Sequence, residues 1–246
     1  IMHHTYTNIA GMDEDIEEKP LLRFSPHSKA KAVHRFQWIH AFLMYGLLTV
    51  YWVVGKDFVQ YIKYKRNGVN TNTRKQNAKV LSKIILIKLV YVYVFLVMPT
   101  MVFGIPFLEM LTGFLVMHFL SGVILSVTFQ LAHTVEGTTH PLPNANGDIE
   151  NEWAIHQLNT TVNFCRNNKL ISWYVGGLNF QVEHHLFPRI SHIHYPAIAP
   201  IVKQTAEEFN IPYLENKTLM GALGSHVKTL HRLSVNETLV ALDNLG

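Results

Sequence analysis

Apolar residues are concentrated in three long runs, and the rest of the chain is mixed and polar. The runs are 36–55 (FQWIHAFLMYGLLTVYWVVG), 84–103 (IILIKLVYVYVFLVMPTMVF) and 107–131 (FLEMLTGFLVMHFLSGVILSVTFQL). Each is close to the roughly 20 residues that a helix needs to cross a bilayer. Only GIP separates the second run from the third, so these two runs predict a transmembrane helical hairpin at about 84–104 and 107–131.

The first run admits two topologies. The segment 55–83 is rich in lysine and arginine and has Asp57 as its one acid, which is typical of a cytoplasmic loop. If all three runs crossed the membrane, the pairs His3–His4 and His184–His185 would lie on opposite sides. If only the hairpin crosses, both pairs face the cytoplasm and the aromatic-rich run 36–55 forms an interfacial helix. Hydropathy alone favours three spans, whereas a site shared by the two pairs favours two.

Composition supports a membrane protein. The chain is 48% hydrophobic and only 15% charged, well below the usual quarter for soluble domains. The net charge of +4 is accounted for by the basic loop, so no nucleic-acid partner is predicted. The single cysteine, Cys165, excludes a disulfide within the chain and a cysteine-based zinc site. We therefore predict an all-α integral membrane protein with a transmembrane hairpin, interfacial helices and a cytoplasmic histidine-rich helical cap.

The segment GGLNFQVEHHLFP, residues 176–188, suggests a metal site. On a helix Gln181, His184 and His185 share one face, and neutral imidazoles there suit iron, zinc, copper or nickel. The inverted metalloprotease pattern H-x-x-E-H does not fit, because Phe180 stands at its first ligand position. A polar helix face without metal is the alternative interpretation. A second adjacent pair, His3 and His4, occurs in IMHHTYTN.

Other histidines extend the candidate site. In FQLAHTVEG, His133 follows the last apolar run, and Gln130 lies one turn earlier on the same face. His156 is a possible additional ligand. His118 precedes His133 by fifteen residues, about 22 Å along a helix, so we predict a buried hydrogen-bonding role for it instead. The following histidines are predicted to be at the surface or the interface: His27, His34, His40, His226 and His231.

Together these segments resemble the membrane fatty acid desaturases, in particular the front-end and linoleoyl-CoA-desaturase-like subgroup. QVEHHLFP is similar to the third histidine box of that subgroup, where glutamine replaces the first histidine, and IMHHTYTN resembles the end of the second box. DEDI, NTTVNF and SHIHYPAIAP also resemble family segments, and the similarity covers most of 1–213. We expect 1–246 to be a single desaturase domain without its N-terminal part, because the first histidine box and two preceding transmembrane helices are absent.

The resemblance implies a di-iron centre with His3, His4, His133, His184 and His185 as metal ligands. It makes Gln181 either a ligand or a hydrogen-bonding neighbour of a ligand, and Gln130 a candidate neighbour. It further implies an oxidoreductase that uses O₂ to introduce a cis double bond into an acyl-lipid or acyl-CoA. Electrons would come from ferredoxin or cytochrome b5 and its reductase. The site would face the cytoplasm, in a bacterial inner membrane. With ligands missing, residues 1–246 alone are expected to be inactive.

Two alternatives remain at this point. A fatty acyl hydroxylase or related oxygenase could use the same scaffold, and only its product would distinguish it. A non-catalytic metal-handling membrane protein, such as a transporter, is the other. Transporters place their ligands within the spans near the midplane, whereas the histidine pairs of this chain lie outside the apolar runs.

Overall fold

The computed structural model describes residues 2–13, 16 and 20–234 and is predominantly helical. The α-helices are α1 (Met2–Thr5), α2 (Gln37–Gly46), α3 (Leu48–Tyr51), α4 (Asp57–Arg66), α5 (Arg74–Val92), α6 (Met98–Phe103), α7 (Phe107–His133), α8 (Trp153–Thr160), α9 (Lys169–Tyr174), α10 (Gln181–Leu186), α11 (Tyr195–Glu208) and α12 (Leu219–Ser234). Two 3₁₀ turns (Ala32–Phe36 and His192–His194) and two π turns (Trp52–Lys56 and Tyr93–Val97) complete the helical structure. Two compact units result, one of residues 42–126 and one of residues 1–41 and 127–246.

Two helices are long and apolar enough to cross a membrane. They are Arg74–Phe103 and Phe107–His133, with mean hydropathies of 2.3 and 2.0 over their most apolar windows. The first begins ten residues before the predicted boundary, because Thr73 and Gln76 form a capping box that starts the helix in polar sequence. It ends at Gly104 in the left-handed conformation with φ of 64°, and residues 104–106 form the predicted turn.

The prediction of one interfacial helix over 36–55 is wrong in its continuity. The helix breaks at Leu47, and the segments Ala32–Gly46 and Leu48–Arg66 make an angle of 52°. If these two bent segments together formed one span, the number of possible spans by length and composition would rise from two to three. A π turn at Trp52–Lys56 interrupts the second segment further.

Within the unit 42–126 the helices approach closely at glycines. A Cβ on Gly46 would lie 2.1 Å from the Phe119 ring, and one on Gly122 would lie 2.6 Å from the carbonyl oxygen of Tyr45. Such small residues allow helix backbones to pack closely where lipid cannot drive association.

His118 has the buried hydrogen-bonding role predicted for it, since only 4% of the residue is exposed. Thr49 donates its hydroxyl to the His118 carbonyl at 2.7 Å, so the ring Nδ1 donates to Thr49 at 3.0 Å. The Nε2 atom then accepts from the Tyr91 hydroxyl at 3.0 Å.

The unit of residues 1–41 and 127–246 contains small apolar clusters linked by polar contacts. Leu158 of α8, Val182 of α10 and Ala206 of α11 form one cluster, which packs α10 between the other two helices. A short parallel pair, β1 (Asn163–Phe164) and β2 (Glu215–Asn216), was not predicted from the sequence. It joins the segment after α8 to the segment before α12 and places Asn163 behind α10.

Candidate metal centre

The five histidines predicted as ligands occupy three helices. His3 and His4 lie on the single turn α1, His133 is the last residue of α7, and His184 and His185 lie on α10. All of these positions are at helix ends or on one-to-two-turn helices. Their side-chain directions are therefore set by the packing of the surrounding segments more than by regular helix geometry.

The structure brings these five imidazoles into one cluster. The His3 ring centroid lies 4.8 Å from that of His133 and 5.1 Å from that of His185. The His4 ring stacks on His185 at 4.3 Å and meets the edge of His184 at 4.7 Å. Residues separated by more than 180 positions in the chain thus share one site.

Three members of the cluster have the geometry of a metal site. One ring nitrogen from each of His3, His133 and His185 lies within 4.8 Å of the other two, so a single ion could contact all three. Within the described part of the chain this is the one group of three or more such side chains.

Each of these three rings is oriented by an acceptor for its Nδ1 atom. His3 Nδ1 lies 3.0 Å from a carboxylate oxygen of Asp13, which is fully buried. His133 Nδ1 donates to the Thr160 carbonyl at 3.2 Å, and His185 Nδ1 donates to Gln157 Oε1 at 2.8 Å. A hydrogen on Nδ1 leaves the lone pair on Nε2, so all three rings offer Nε2 to a metal.

Burial lowers the pKa of four cluster histidines, His4, His133, His184 and His185, and so favours the neutral form that metals require. It lowers the pKa of His4 to about 4, assisted by the neighbouring His184 and His3. Burial also lowers the pKa of His185 well below its ordinary value, and that of His184, next to His3, in the same direction. Neutral imidazole is the form that coordinates iron or zinc, so the donor set fits a metal centre.

The other candidate residues lie near the cluster in different ways. Gln181 is buried in the first turn of α10. Gln130 accepts from the Thr134 hydroxyl at 2.6 Å, an interaction within α7 and its C-terminal extension that does not involve the cluster imidazoles. His156 is buried on α8, and its Nε2 atom has no hydrogen-bond partner in the described part of the chain. His156 is not in the group of three.

The sequence does not predict the residues that hydrogen-bond to the histidines. Asp13 belongs to DEDI, a segment that resembles the family without indicating this role, and Glu14 and Asp15 of that motif lie outside the described residues. Gln157 and Thr160 follow His156 in the chain and had no recognisable signal. Two histidines predicted at the surface or interface, His34 and His226, are fully buried, which corrects that prediction.

Glu183 is another buried residue that the motif alone did not explain. Tyr213 donates its hydroxyl to Glu183 Oε1 at 2.7 Å, and Asn163 donates its amide to Glu183 Oε2 at 2.9 Å. Asn163 also donates to the Tyr213 oxygen at 2.7 Å and accepts from the Val182 backbone at 2.9 Å. We call Asn163, Glu183 and Tyr213 the α10 clamp, because they fix the helix that carries His184 and His185.

Comparison with known proteins identifies the family of the chain. A family model described as fatty acid desaturase matches residues 1–217, most of the chain and all of the clustered histidines. The chain belongs to the fatty acid desaturase family. The family predicted from the histidine motifs is thereby confirmed.

Among the desaturases that it matches are cyanobacterial and moss proteins. It is 38% identical over 245 residues to sn-1 linoleoyl-lipid 6-desaturase of Arthrospira platensis, covering 100% of this chain and 66% of the relative. It is 36% identical to the protein of the same name from Synechocystis sp., covering 94% of this chain and 64% of the relative. Acyl-lipid (8-3)-desaturase of Physcomitrium patens is 32% identical, with 96% and 49% covered. The chain thus spans two thirds or less of the length of these relatives. No solved structure matches it.

Proposed function

We propose that this desaturase-family protein introduces a cis double bond into a fatty acyl chain, in a reaction that uses O₂. The observation that carries the proposal is the convergence of one ring nitrogen from each of His3, His133 and His185, with an acceptor beside the Nδ1 atom of each ring. Iron bound there would supply the activation of O₂ that removal of hydrogen from an unactivated methylene requires. The electrons would come from a reduced ferredoxin or cytochrome b5 and its reductase.

The chain's own residues would hold and orient the metal. We infer that His3, His4, His133, His184 and His185 are ligands, because their rings are clustered and burial favours the neutral form of the last four. Asp13 and Gln157 keep the rings in the tautomer that presents Nε2. Gln181, buried on the same helix as His184, is proposed as a ligand or as a hydrogen-bonding neighbour of one.

A centre with two irons needs more donors than the cluster provides. Catalytic metals commonly take about three protein ligands each, so two ions require roughly six. The cluster contains five imidazoles, and Gln181 would complete the set only as a ligand and not as a hydrogen-bonding neighbour of one. We infer that residues 1–246 alone hold fewer than two irons per chain and are inactive. Iron analysis of the purified polypeptide tests this, and two irons per chain would contradict it.

The acyl carrier is proposed to be a glycerolipid, because the names of the matched relatives from Arthrospira platensis and Physcomitrium patens refer to acyl lipids. The proposed location is a membrane, in which Arg74–Phe103 and Phe107–His133 would both be spans. A cytoplasmic orientation of the cluster, in a bacterial inner membrane, completes the proposal.

The decisive experiment is expression in a bacterial host of known lipid composition, supplied with oleate or linoleate, ferredoxin and ferredoxin reductase. The protein is expressed both as residues 1–246 and as the complete open reading frame that encodes them. Fatty acid methyl esters are then compared by gas chromatography and mass spectrometry. We expect a new unsaturated species from the complete frame, at least about 100-fold weaker in His184→Ala, because loss of a metal ligand removes the reaction.

His194→Ala is the matched control, since His194 lies near the same motif but is exposed. It should leave the product unchanged. A hydroxylated product would assign the scaffold to an acyl hydroxylase instead. The absence of any new lipid from a well-expressed, iron-loaded protein would refute desaturation of the supplied substrates and favour a non-catalytic role.

A further inference from the structure

A cleft within the unit 42–126 shares no residue with the histidine cluster. It has a volume of about 370 Å³ and lies between α4, the connection 67–73 and α5. Gln60, Tyr64 and Asn72 contribute polar groups to its lining, and Val69, Val80 and Ile84 contribute apolar ones. This volume is within the range of small-molecule sites.

Basic side chains lie on α4 and α5, the two helices that line the cleft, but outside the lining itself. Lys75, Lys79 and Lys83 follow one another at four-residue intervals on α5, so they form an exposed stripe on one face of the helix. Arg66 at the end of α4 and Arg74 at the start of α5 are exposed on either side of the connection. Asp57 also lines the cleft, but Lys88 neutralises it with a 2.8 Å ion pair. The cleft and its rim therefore favour an anion.

Apolar side chains beside these charges are also exposed. The exposed fractions are 49% for Val59, 62% for Ile62 and 67% for Val69. The most apolar window of Arg74–Phe103 is 0% buried by the rest of the protein, and Ile84 marks where its apolar run begins. The cleft is thus located where a basic helical turn gives way to an open apolar surface.

We propose that this cleft binds the headgroup of an anionic glycerolipid. At the boundary between basic and apolar turns of a spanning helix, the surrounding solvent is the headgroup layer, whose anionic lipids attract clustered lysines. Amide and hydroxyl groups of Gln60, Tyr64 and Asn72 can hydrogen-bond to the phosphate and glycerol oxygens. An acidic protein would meet the same charges, but the adjoining exposed valine and isoleucine side chains fit acyl chains better than a charged protein surface.

This inference uses the proposed membrane location but does not depend on the metal centre. The test uses the full chain reconstituted in nanodiscs of equal phosphatidylglycerol and phosphatidylcholine, followed by native mass spectrometry of the lipids that stay bound. Each lysine near an anionic surface contributes about fivefold to binding. We expect phosphatidylglycerol to be retained over phosphatidylcholine by roughly fivefold or more, and this preference to be lost, to a ratio of about one, in the variant Lys75→Gln, Lys79→Gln, Lys83→Gln.

Two further variants separate the cleft from diffuse charge. A control that replaces three exposed lysines of the other unit, Lys203→Gln, Lys217→Gln and Lys228→Gln, removes the same charge and should keep the preference. The double variant Gln60→Leu, Tyr64→Phe keeps every charge and should lower retention of phosphatidylglycerol about threefold or more, because it removes hydrogen-bonding groups inside the cleft. Glycerol 3-phosphate should not displace the lipid.

Several results would overturn the assignment. Equal retention of the two lipids by the wild-type protein would exclude anion selectivity. An unchanged preference in Gln60→Leu, Tyr64→Phe would move binding from the cleft to the general surface. Displacement by glycerol 3-phosphate would indicate a soluble phosphate ligand. The triple lysine variant could instead retain its lipids unchanged and be reduced more slowly than the wild-type protein by an electron-donor protein. That result would assign Lys75, Lys79 and Lys83 to binding of the donor protein. All lipid measurements can be made on metal-free protein, so failure of the desaturase proposal would leave them interpretable.

Discussion

The α10 clamp gives a prediction whose size follows from its hydrogen bonds. Asn163 uses every polar atom of its side chain: the amide nitrogen donates to Glu183 at 2.9 Å and to Tyr213 at 2.7 Å, and the oxygen accepts from Val182 at 2.9 Å. Asn163→Asp keeps the shape but removes both donated hydrogen bonds. It also puts a second carboxylate beside Glu183, whose side chain is fully buried.

Two overlapping effects in one buried network determine how much Asn163→Asp lowers the free energy of unfolding. A hydrogen bond to a charged group is worth about 1.5–3 kcal/mol, and leaving a buried charge without its partner costs about 3–5 kcal/mol. These effects overlap, so we expect Asn163→Asp to destabilise the protein by about 4 kcal/mol. Tyr213→Phe removes one donor to Glu183 and should cost about 2 kcal/mol. At 2–4 °C per kcal/mol for a chain of this size, the melting temperature should fall by roughly 10 °C and 5 °C.

Differential scanning fluorimetry in detergent measures these shifts, with Asn151→Asp as the matched control at an exposed position. Burial raises the pKa of Glu183, and the hydrogen bonds from Tyr213 and Asn163 partly offset this rise. Loss of either donor therefore destabilises a carboxylate that burial already disfavours. Metal content, measured on the same samples, should fall with the clamp variants, because α10 carries His184 and His185. Asn163→Asp with a melting temperature equal to that of Asn151→Asp would refute the clamp.

Three further outcomes are expected. Asp13→Asn weakens the hydrogen-bond acceptor of His3 and should lower metal affinity about 10–100-fold in a chelator competition. The control Asp148→Asn, at an exposed position, should leave the affinity unchanged. Equal affinities of the two variants would contradict the role of Asp13. Burial lowers the pKa of His226 to about 4, from an unfolded value near 6.5. The folded protein therefore keeps its full stability above pH 6.5. Its free energy of unfolding falls by about 3 kcal/mol as the pH decreases from 6.5 towards 4. His226→Gln can still donate to the Thr134 carbonyl and should reduce this pH dependence of melting; an unchanged pH profile would disprove it. Removal of bound metal should lower stability by about 2.7 kcal/mol relative to protein at a metal concentration 100 times Kd, and an unchanged melting temperature on chelation would argue against metal binding.

Hydropathy and short motifs predicted much of this molecule, and the failures have identifiable causes. The two apolar helices and the turn at 104–106 follow from composition and from Gly104 and Pro106. The early start of α5 has a local cause in the sequence, the capping box of Thr73 and Gln76. The break of the run 36–55 had no comparable local signal. It accompanies close packing between Gly46 and Phe119, residues that only the fold brings together.

The site was predictable to a similar degree. Adjacent histidines predicted the candidate ligands, but the groups that orient their rings are distant in sequence. Thr7 lies 2.9 Å from Gln157 across 150 positions, and His185 contacts Gln157 across 28. Nothing in the residues around Gln157 distinguishes it from any other glutamine on a half-buried helix. A single sequence therefore indicates which side chains can bind metal, whereas the tautomer and direction of each ring depend on tertiary contacts.

The distribution of these acceptors links the site to folding. His3 takes its acceptor from the loop after α1, His133 takes a backbone carbonyl at the end of α8, and His185 takes the Gln157 amide from the middle of α8. No two rings share an acceptor, so the three Nε2 atoms converge only after α1, α7, α8 and α10 have packed together. A metal ion that bound the converged arrangement and not its separate parts would therefore stabilise the packing of all four helices. A change that loosens any one of them, including a distant change in the α10 clamp, is therefore expected to weaken metal binding without touching a ligand.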